Sequence, residues 1–318
     1  MAGLVLLLIS AIIGAGFATG AELVAFFGDT GMPPIVVAVM VAGCLFGISC
    51  LLIYFEQKQS KFTRHIFTAI YLASFVVMTA GLRHIAGGLV TALSLGFCVI
   101  VVFCGFKWML FINKYLMFFV LGILLFASIT NLTPADVQPN ESPRVFRAIG
   151  MAILYAGMNG CILQRVLLKL REEHSKKRVL VACGIAFLII AVLVALVLTA
   201  ITSQGTVGAM PILELSNNYF TRAAVFFCIL TSMMILLYNS VQRTSRGYSS
   251  VAFAVVCSLV AFFLSFFGFK NILGWVYPLI GGFMILYCFC LLLLRCPFRK
   301  DSLVVHDTID GLQIVQDK

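Results

Sequence analysis

IIGAGFATGAELVAFFG, residues 12–28, closes the first apolar run of the chain and places four glycines, a threonine and a glutamate where a lipid-facing helix would carry leucine. Working outward, apolar runs of about 20 residues recur along nearly the whole sequence, each long enough to cross ~30 Å of hydrocarbon at 1.5 Å per residue. Of the 318 residues 62% are hydrophobic and 11% charged, far from the ~25% charged residues of a soluble domain. The reading is an all-α membrane protein, since continuous apolar runs make helices, whereas barrel strands alternate.

Reading the runs between charged and Pro/Gly breaks predicts about ten transmembrane helices, at 3–27, 33–55, 66–86, 88–106, 109–131, 145–167, 178–202, 222–243, 249–268 and 272–295. Arg83, His84, Gly87 and Gly88 are the only punctuation between the third and fourth. The transporter-like region is taken as 1–298, with repeats about 3–131 and 145–268 and the neighbouring spans to 295, followed by a short polar tail at 299–318.

The net charge of +10 belongs to membrane orientation, and no nucleic-acid partner is expected. Lys and Arg gather in EQKQSKFTRH (56–65), at Lys107 and Lys114, in KLREEHSKKR (169–178), RTSR (243–246) and RCPFRK (295–300). GDTG (28–31), NLTPADVQPNESPR (131–144) and SQGTVGAMPILELSNN (203–218) are poor in them. The positive-inside rule puts the first set, and with it both termini, on the cytoplasmic side of the cell (inner) membrane. The opening MAGLVLLLIS lacks a basic n-region and reads as the start of the first span, not as a cleaved leader. The eleven cysteines fall in or at the ends of apolar runs without CxxC metal spacing, and read as small packing residues.

Five spans precede the NLTPADVQPNESPR segment and five follow. The first span of each half carries a glycine-rich interruption, GAGFATG (14–20) and YAGMNG (155–160). Paired interruptions at corresponding positions of two halves point to a transporter site built from inverted repeats. Glycine lowers the cost of leaving helical dihedrals, and an unwound segment frees carbonyls and N–H groups that persist in a membrane only where protein, water, an ion or a solute satisfies them. On this reading Gly14, Ala15, Gly16, Phe17, Thr19, Gly20, Tyr155, Gly157 and Asn159 form a substrate site. The competing reading is close helix packing, Gly16 and Gly20 being a literal GxxxG.

Glu22 is the only acidic residue deep in an apolar run, so it needs a partner, a cavity or a proton. It is either a cation or proton site or a brace for the broken backbone. Asn159 either contacts solute or ties helices together. Thr231 and Ser232, adjacent in ILTSMMILLYNSVQ (229–242), either complete the oxygen shell of a coupling cation or hydrogen-bond backward along their own helix. No cofactor is expected beyond Na⁺ or H⁺ as coupling ion. His65, His84, His174 and His306 read as loop, edge or tail residues, and no nucleophile–base or metal-ligand set is apparent, so enzymatic activity is not expected.

GAGFATGAE (14–22), FVVMTAG (75–81), YAGMN (155–159) and GWVYPLIGG (274–282) resemble the YkvI-type membrane proteins, which belong with the amino acid–polyamine–organocation superfamily and its LeuT-like fold. The resemblance implies a five-plus-five inverted repeat with broken first and sixth helices and solute held between them. By position, it implies a cation site near Gly14, Phe17, Thr231 and Ser232. The expected function is secondary active transport of a small solute, an amino acid or related amine, coupled to Na⁺ or H⁺. The alternative is a membrane sensor or structural partner that keeps the fold without transport.

Overall fold

The computed structural model describes residues 1–55, 61–104, 106–132, 144–205, 208–216, 218–244 and 248–295. The loop residues 56–60, most of the NLTPADVQPNESPR segment and the tail 299–318 lie outside them. Among the described residues every regular element is helical, and seven helices are long and apolar enough to cross a membrane. The chain is a multi-pass helical membrane protein.

The first apolar run folds as three pieces, α1 (Ala2–Ile12), α2 (Ala15–Thr19) and α3 (Ala21–Phe27). There follow α4 (Pro34–Phe55), α5 (Lys61–Cys104), α6 (Phe106–Thr130), α7 (Val145–Glu173) and α8 (Lys176–Gln204). The short α9 (Pro211–Leu215), α10 (Tyr219–Thr244), α11 (Tyr248–Leu264), a 3-10 turn (Ser265–Phe267) and α12 (Phe269–Arg295) complete the order. The helices fall where the apolar runs do. Straight, the 44 residues of α5 would reach about 66 Å, twice a hydrocarbon core. Gly87 breaks it instead, at φ 76° and ψ 175°, a conformation open in practice only to glycine.

The sixth span corrects the sequence reading. YAGMNG is not an interruption: α7 runs unbroken from Val145 to Glu173. Its glycines serve close packing. A Cβ on Gly157 would lie 2.6 Å from the Gly281 carbonyl oxygen of α12, a Cβ on Gly281 would strike the Leu154 carbonyl, and one on Gly160 would meet Ile48 at 2.8 Å. Helices held together in lipid gain from such backbone approach, where dispersion and not the hydrophobic effect drives association.

The broken first run sits at the centre. Leu8, Ile9, Ile12, Ile13, Phe17 and Leu23 are all buried, and α1 packs against α6, α7 and α8. Around it, large apolar side chains point outward, among them Ile35 and Val39 on α4, Leu89 and Ile100 on α5, Leu188 on α8 and Trp275 and Leu279 on α12. Exposed apolar surface on this scale is what a lipid-facing belt requires.

Polar contacts fix which helix ends share a side. The Arg171 guanidinium, at the end of α7, donates to the Ile53 carbonyl at the end of α4 (3.1 Å), and Arg165 donates to the Asn239 carbonyl in the last turns of α10 (2.9 Å). Basic side chains at helix C-termini satisfy carbonyls that have no intrahelical donor. At the opposite end, the Arg144 N–H donates to the Thr30 carbonyl (3.0 Å) and Arg147 pairs with Asp29 (3.2 Å), joining the exit of α3 to the start of α7. Ser203, closing α8, donates to the Asn131 carbonyl just past α6 (3.4 Å).

Candidate functional site

The break in the first run has two joints. At the first, the Gly14 N–H reaches back to the Ile12 carbonyl (2.7 Å) around Ile13 at φ −74° and ψ 78°, an inverse γ-turn that ends α1. Gly14 itself is extended. At the second joint Gly20 takes φ 74°, closing the single turn of α2 and opening α3. The stretch 14–20 is therefore not one unwound loop but a helical turn, 15–19, hinged at both ends.

Thr19 holds that turn. Its hydroxyl donates to the Gly16 carbonyl (3.0 Å) and accepts from the Ala21 N–H (3.3 Å), satisfying two backbone groups that the break leaves exposed. Gly20 is pressed against α8 and α9: a Cβ there would lie 2.7 Å from Ile201 and 3.2 Å from Ile212. Phe17 is fully buried and serves the core. Ala15 contributes the first residue of α2, and its side chain lies outside the described set.

Glu22, in the first turn of α3, folds back over Gly16, so closely that a Cβ on Gly16 would overlap its side chain. It is 3% exposed. The Tyr277 hydroxyl, from α12, hydrogen-bonds its carboxyl, while Oε2 has no hydrogen-bond partner. Tyr155, fully buried on α7, lies within the electrostatic reach of the same carboxyl, and its hydroxyl also has no partner. The Tyr155 ring meets Phe26 and Phe27 edge-on, with centroids 5.4 and 5.7 Å apart. Asn159 donates to the Tyr155 carbonyl on its own helix (3.0 Å); its carboxamide lies close to the Tyr155 hydroxyl but does not satisfy it. Unpaired buried polar atoms are rare in native structures, and this cluster holds two of those found among the described residues.

The structure thus brings Gly16, Glu22, Tyr155 and Asn159 together. Gly157 is an interface residue, and so stands apart from the set expected to touch solute. Gly14 faces the other group: a Cβ on it would meet the Ser232 hydroxyl at 3.5 Å and Met78 at 3.8 Å. Thr231 and Ser232 both donate to the Cys228 carbonyl (2.9 Å each), the backward bonding that hydroxyls adopt in apolar helices. Between them and the break, the Cys228 thiol contacts the Ile13 carbonyl (3.6 Å). The break and α10 therefore meet.

Tyr277 and Cys228 were not among the expected site residues. The signal for Tyr277 was a phenol in an apolar run just before Pro278, whose ring removes a helical hydrogen bond and leaves the Gly274 carbonyl without its usual donor. Cys228 offered no signal beyond one more apolar-run cysteine.

A second feature lies on the side where α8 ends. His84, Ile85, Met210, Leu213, Glu214 and Arg222 line an open cleft of about 560 Å³. The short α9 separates it from the break, with Leu213 and Glu214 toward the cleft and Pro211 and Ile212 against Gly20. No protein-family model matches the chain, and no curated protein matches it.

Proposed function

We propose that this chain is a secondary active transporter of a small solute, an amino acid or related amine, coupled to Na⁺ or H⁺ across the cell (inner) membrane. The observation that carries the reading is the doubly hinged first span, with a buried, half-paired carboxyl folded over its central turn. Thr19 satisfies the backbone of this segment, but the unpartnered carboxyl oxygen is costly in a membrane, and an ion, a proton or a solute would relieve it.

Helix directions support the LeuT-like arrangement of ten crossings. The Arg171–Ile53 contact means that α4 and α7 end on the same side, so an odd number of crossings separates them. α6 supplies one, and the two arms of α5 on either side of Gly87 supply two. The Ser203–Asn131 contact agrees, since α8 then ends opposite to α7 and together with α6. The side that carries Arg165 and Arg171 is the Lys/Arg-rich one, consistent with cytoplasmic termini.

The unbroken α7 favours a second reading, a sensor or structural partner that keeps the fold without moving solute, because only one half of the repeat retains an interruption. Purified protein in liposomes separates the two. Transport requires that a panel of labelled amino acids and amines yield accumulation under an imposed Na⁺ or H⁺ gradient. Saturable binding of a panel member without accumulation, under either gradient, favours the sensor. Absence of both binding and accumulation refutes the solute site.

A further inference from the structure

We propose that the coupling ion is a proton and that Glu22 carries it, taking up H⁺ at Oε2 from one side of the membrane and releasing it to the other. The inference rests on the transporter reading and deepens it. The bond made and broken is a single O–H: carboxylate plus proton gives carboxylic acid on loading, and the reverse on release, with no other reactant.

The hydrogen-bond inventory around Glu22 carries the argument. An ionised carboxylate is acceptor-only and calls for several donors, whereas the acid form has one donor and needs one acceptor. Glu22 has one donor, the Tyr277 hydroxyl, and no basic side chain among the described residues is paired with it. Its Oε2 is buried without any hydrogen-bond partner, and the Tyr155 hydroxyl, also without one, does not reach it in this arrangement. A proton loaded at Oε2 removes the charge from the oxygen that has no donor, while the Tyr277 O–H continues to serve the carboxyl. The ionised form leaves one carboxylate oxygen bare in an enclosed apolar setting.

The surroundings offer no competing charge. α7 contributes Tyr155 and α12 contributes Tyr277, both phenols, while α10 contributes the Cys228 thiol. α2 holds no titratable side chain, and the end of α8 that packs near Gly20 holds Thr199, Thr202 and Ser203. The titratable residues of α8, Lys176, Lys177, Arg178 and Cys183, occupy its opposite end.

The hinges give the carboxyl somewhere to go. Glu22 sits two residues past Gly20, whose φ of 74° is one rotation from ordinary helix, and its side chain is the lid on Gly16. Movement at the Gly20 joint swings the carboxyl away from Tyr155 and toward solvent, where it ionises. Buried protonation and exposed ionisation are what a proton carrier requires.

Two measurements on the full chain in lipid test this. Infrared difference spectra of the reconstituted protein across pH, in H₂O and D₂O, are expected to contain a deuterium-sensitive carboxylic-acid band that is absent from Glu22→Gln and moved in pH midpoint by Tyr277→Phe. Uptake of a mixture of labelled L-amino acids is expected under an imposed pH gradient without Na⁺, and is lost to the level of empty liposomes in Glu22→Gln, while exchange of preloaded label persists. Uptake driven by Na⁺ alone with no dependence on pH gradient overturns the proton and leaves the transporter. No uptake under any gradient, with the band still titrating, overturns transport and the coupling role with it. An unchanged acid band in Glu22→Gln overturns the assignment. Should Glu22→Gln fail to fold, the Tyr277→Phe midpoint decides, and no shift there counts against it.

Discussion

Replacing Gly157 by alanine tests whether α7 and α12 are held by backbone contact. The added Cβ would lie 2.6 Å from the Gly281 carbonyl oxygen and 3.2 Å from its carbonyl carbon and Cα. Non-bonded carbons settle at about 3.5–4.0 Å, so the two backbones must part by roughly 1 Å. No flexible side chain can yield, and overpacking of this kind costs typically ~1–3 kcal/mol. Alanine recovers about 0.5–1 kcal/mol of helix propensity, which leaves a net loss of around 1–2 kcal/mol. Gly150→Ala is the internal control. It lies on the same helix, its Cβ meets nothing within 4 Å, and it is expected to be neutral or to gain up to about 1 kcal/mol. Thermal denaturation in detergent, followed by loss of the monodisperse size-exclusion peak, reads the contrast: Gly157→Ala falls several degrees below Gly150→Ala. Equal midpoints would refute the close approach and return YAGMNG to a role in unwinding.

Four further outcomes follow from the same geometry. Gly20→Ala combines left-handed strain of about 1–2 kcal/mol with a clash on Ile201, and lowers the same midpoint; Gly14→Ala, with its Cβ at ordinary contact distance from Ser232, lowers it less. Thr19→Val removes two hydrogen bonds inside the break at a cost of about 1–3 kcal/mol, and Thr19→Ser retains them, so a Thr19→Val midpoint equal to that of the unsubstituted protein would refute their role. Arg83 stacks on Phe266 at 3.3 Å and on Phe262 at 5.4 Å, so Arg83→Leu loses a desolvated cation–π contact of about 2 kcal/mol and Phe266→Leu loses a similar amount; additive losses in the double variant would exclude the pairing. Asp29→Asn, breaking an exposed ion pair, changes the midpoint by less than the equivalent of ~1 kcal/mol.

How far the sequence could be read depended on what each glycine was for. Helix positions follow from apolar runs because length and composition alone decide what can cross a bilayer, and the break between the third and fourth runs was visible at Gly87, where no other residue fits the backbone. The first-span break was visible for the same reason. YAGMNG carried an identical signal with the opposite outcome, because a glycine can be needed either for its dihedral freedom or for its missing Cβ. The sequence does not distinguish these uses. Only the neighbour does, and for Gly157 that neighbour is Gly281, on a helix that the fold brings in from the far end of the chain.

The same dependence explains why Glu22 could be singled out but not assigned. Its expense in an apolar run is a local fact, read directly from composition. Whether it is paired is a tertiary one, decided by Tyr277 and Tyr155 arriving from two other helices. Had a lysine or arginine been delivered to that spot, the carboxyl would be a permanent structural ion pair and the break merely braced. Two phenols were delivered instead. A hydroxyl can donate or accept, so Tyr277 can serve the carboxyl in either of its protonation states. A fixed cation could serve only one. On the proposal above, bracing and proton carriage belong to one carboxyl at two stages, folded over Gly16 as the acid and released as the anion.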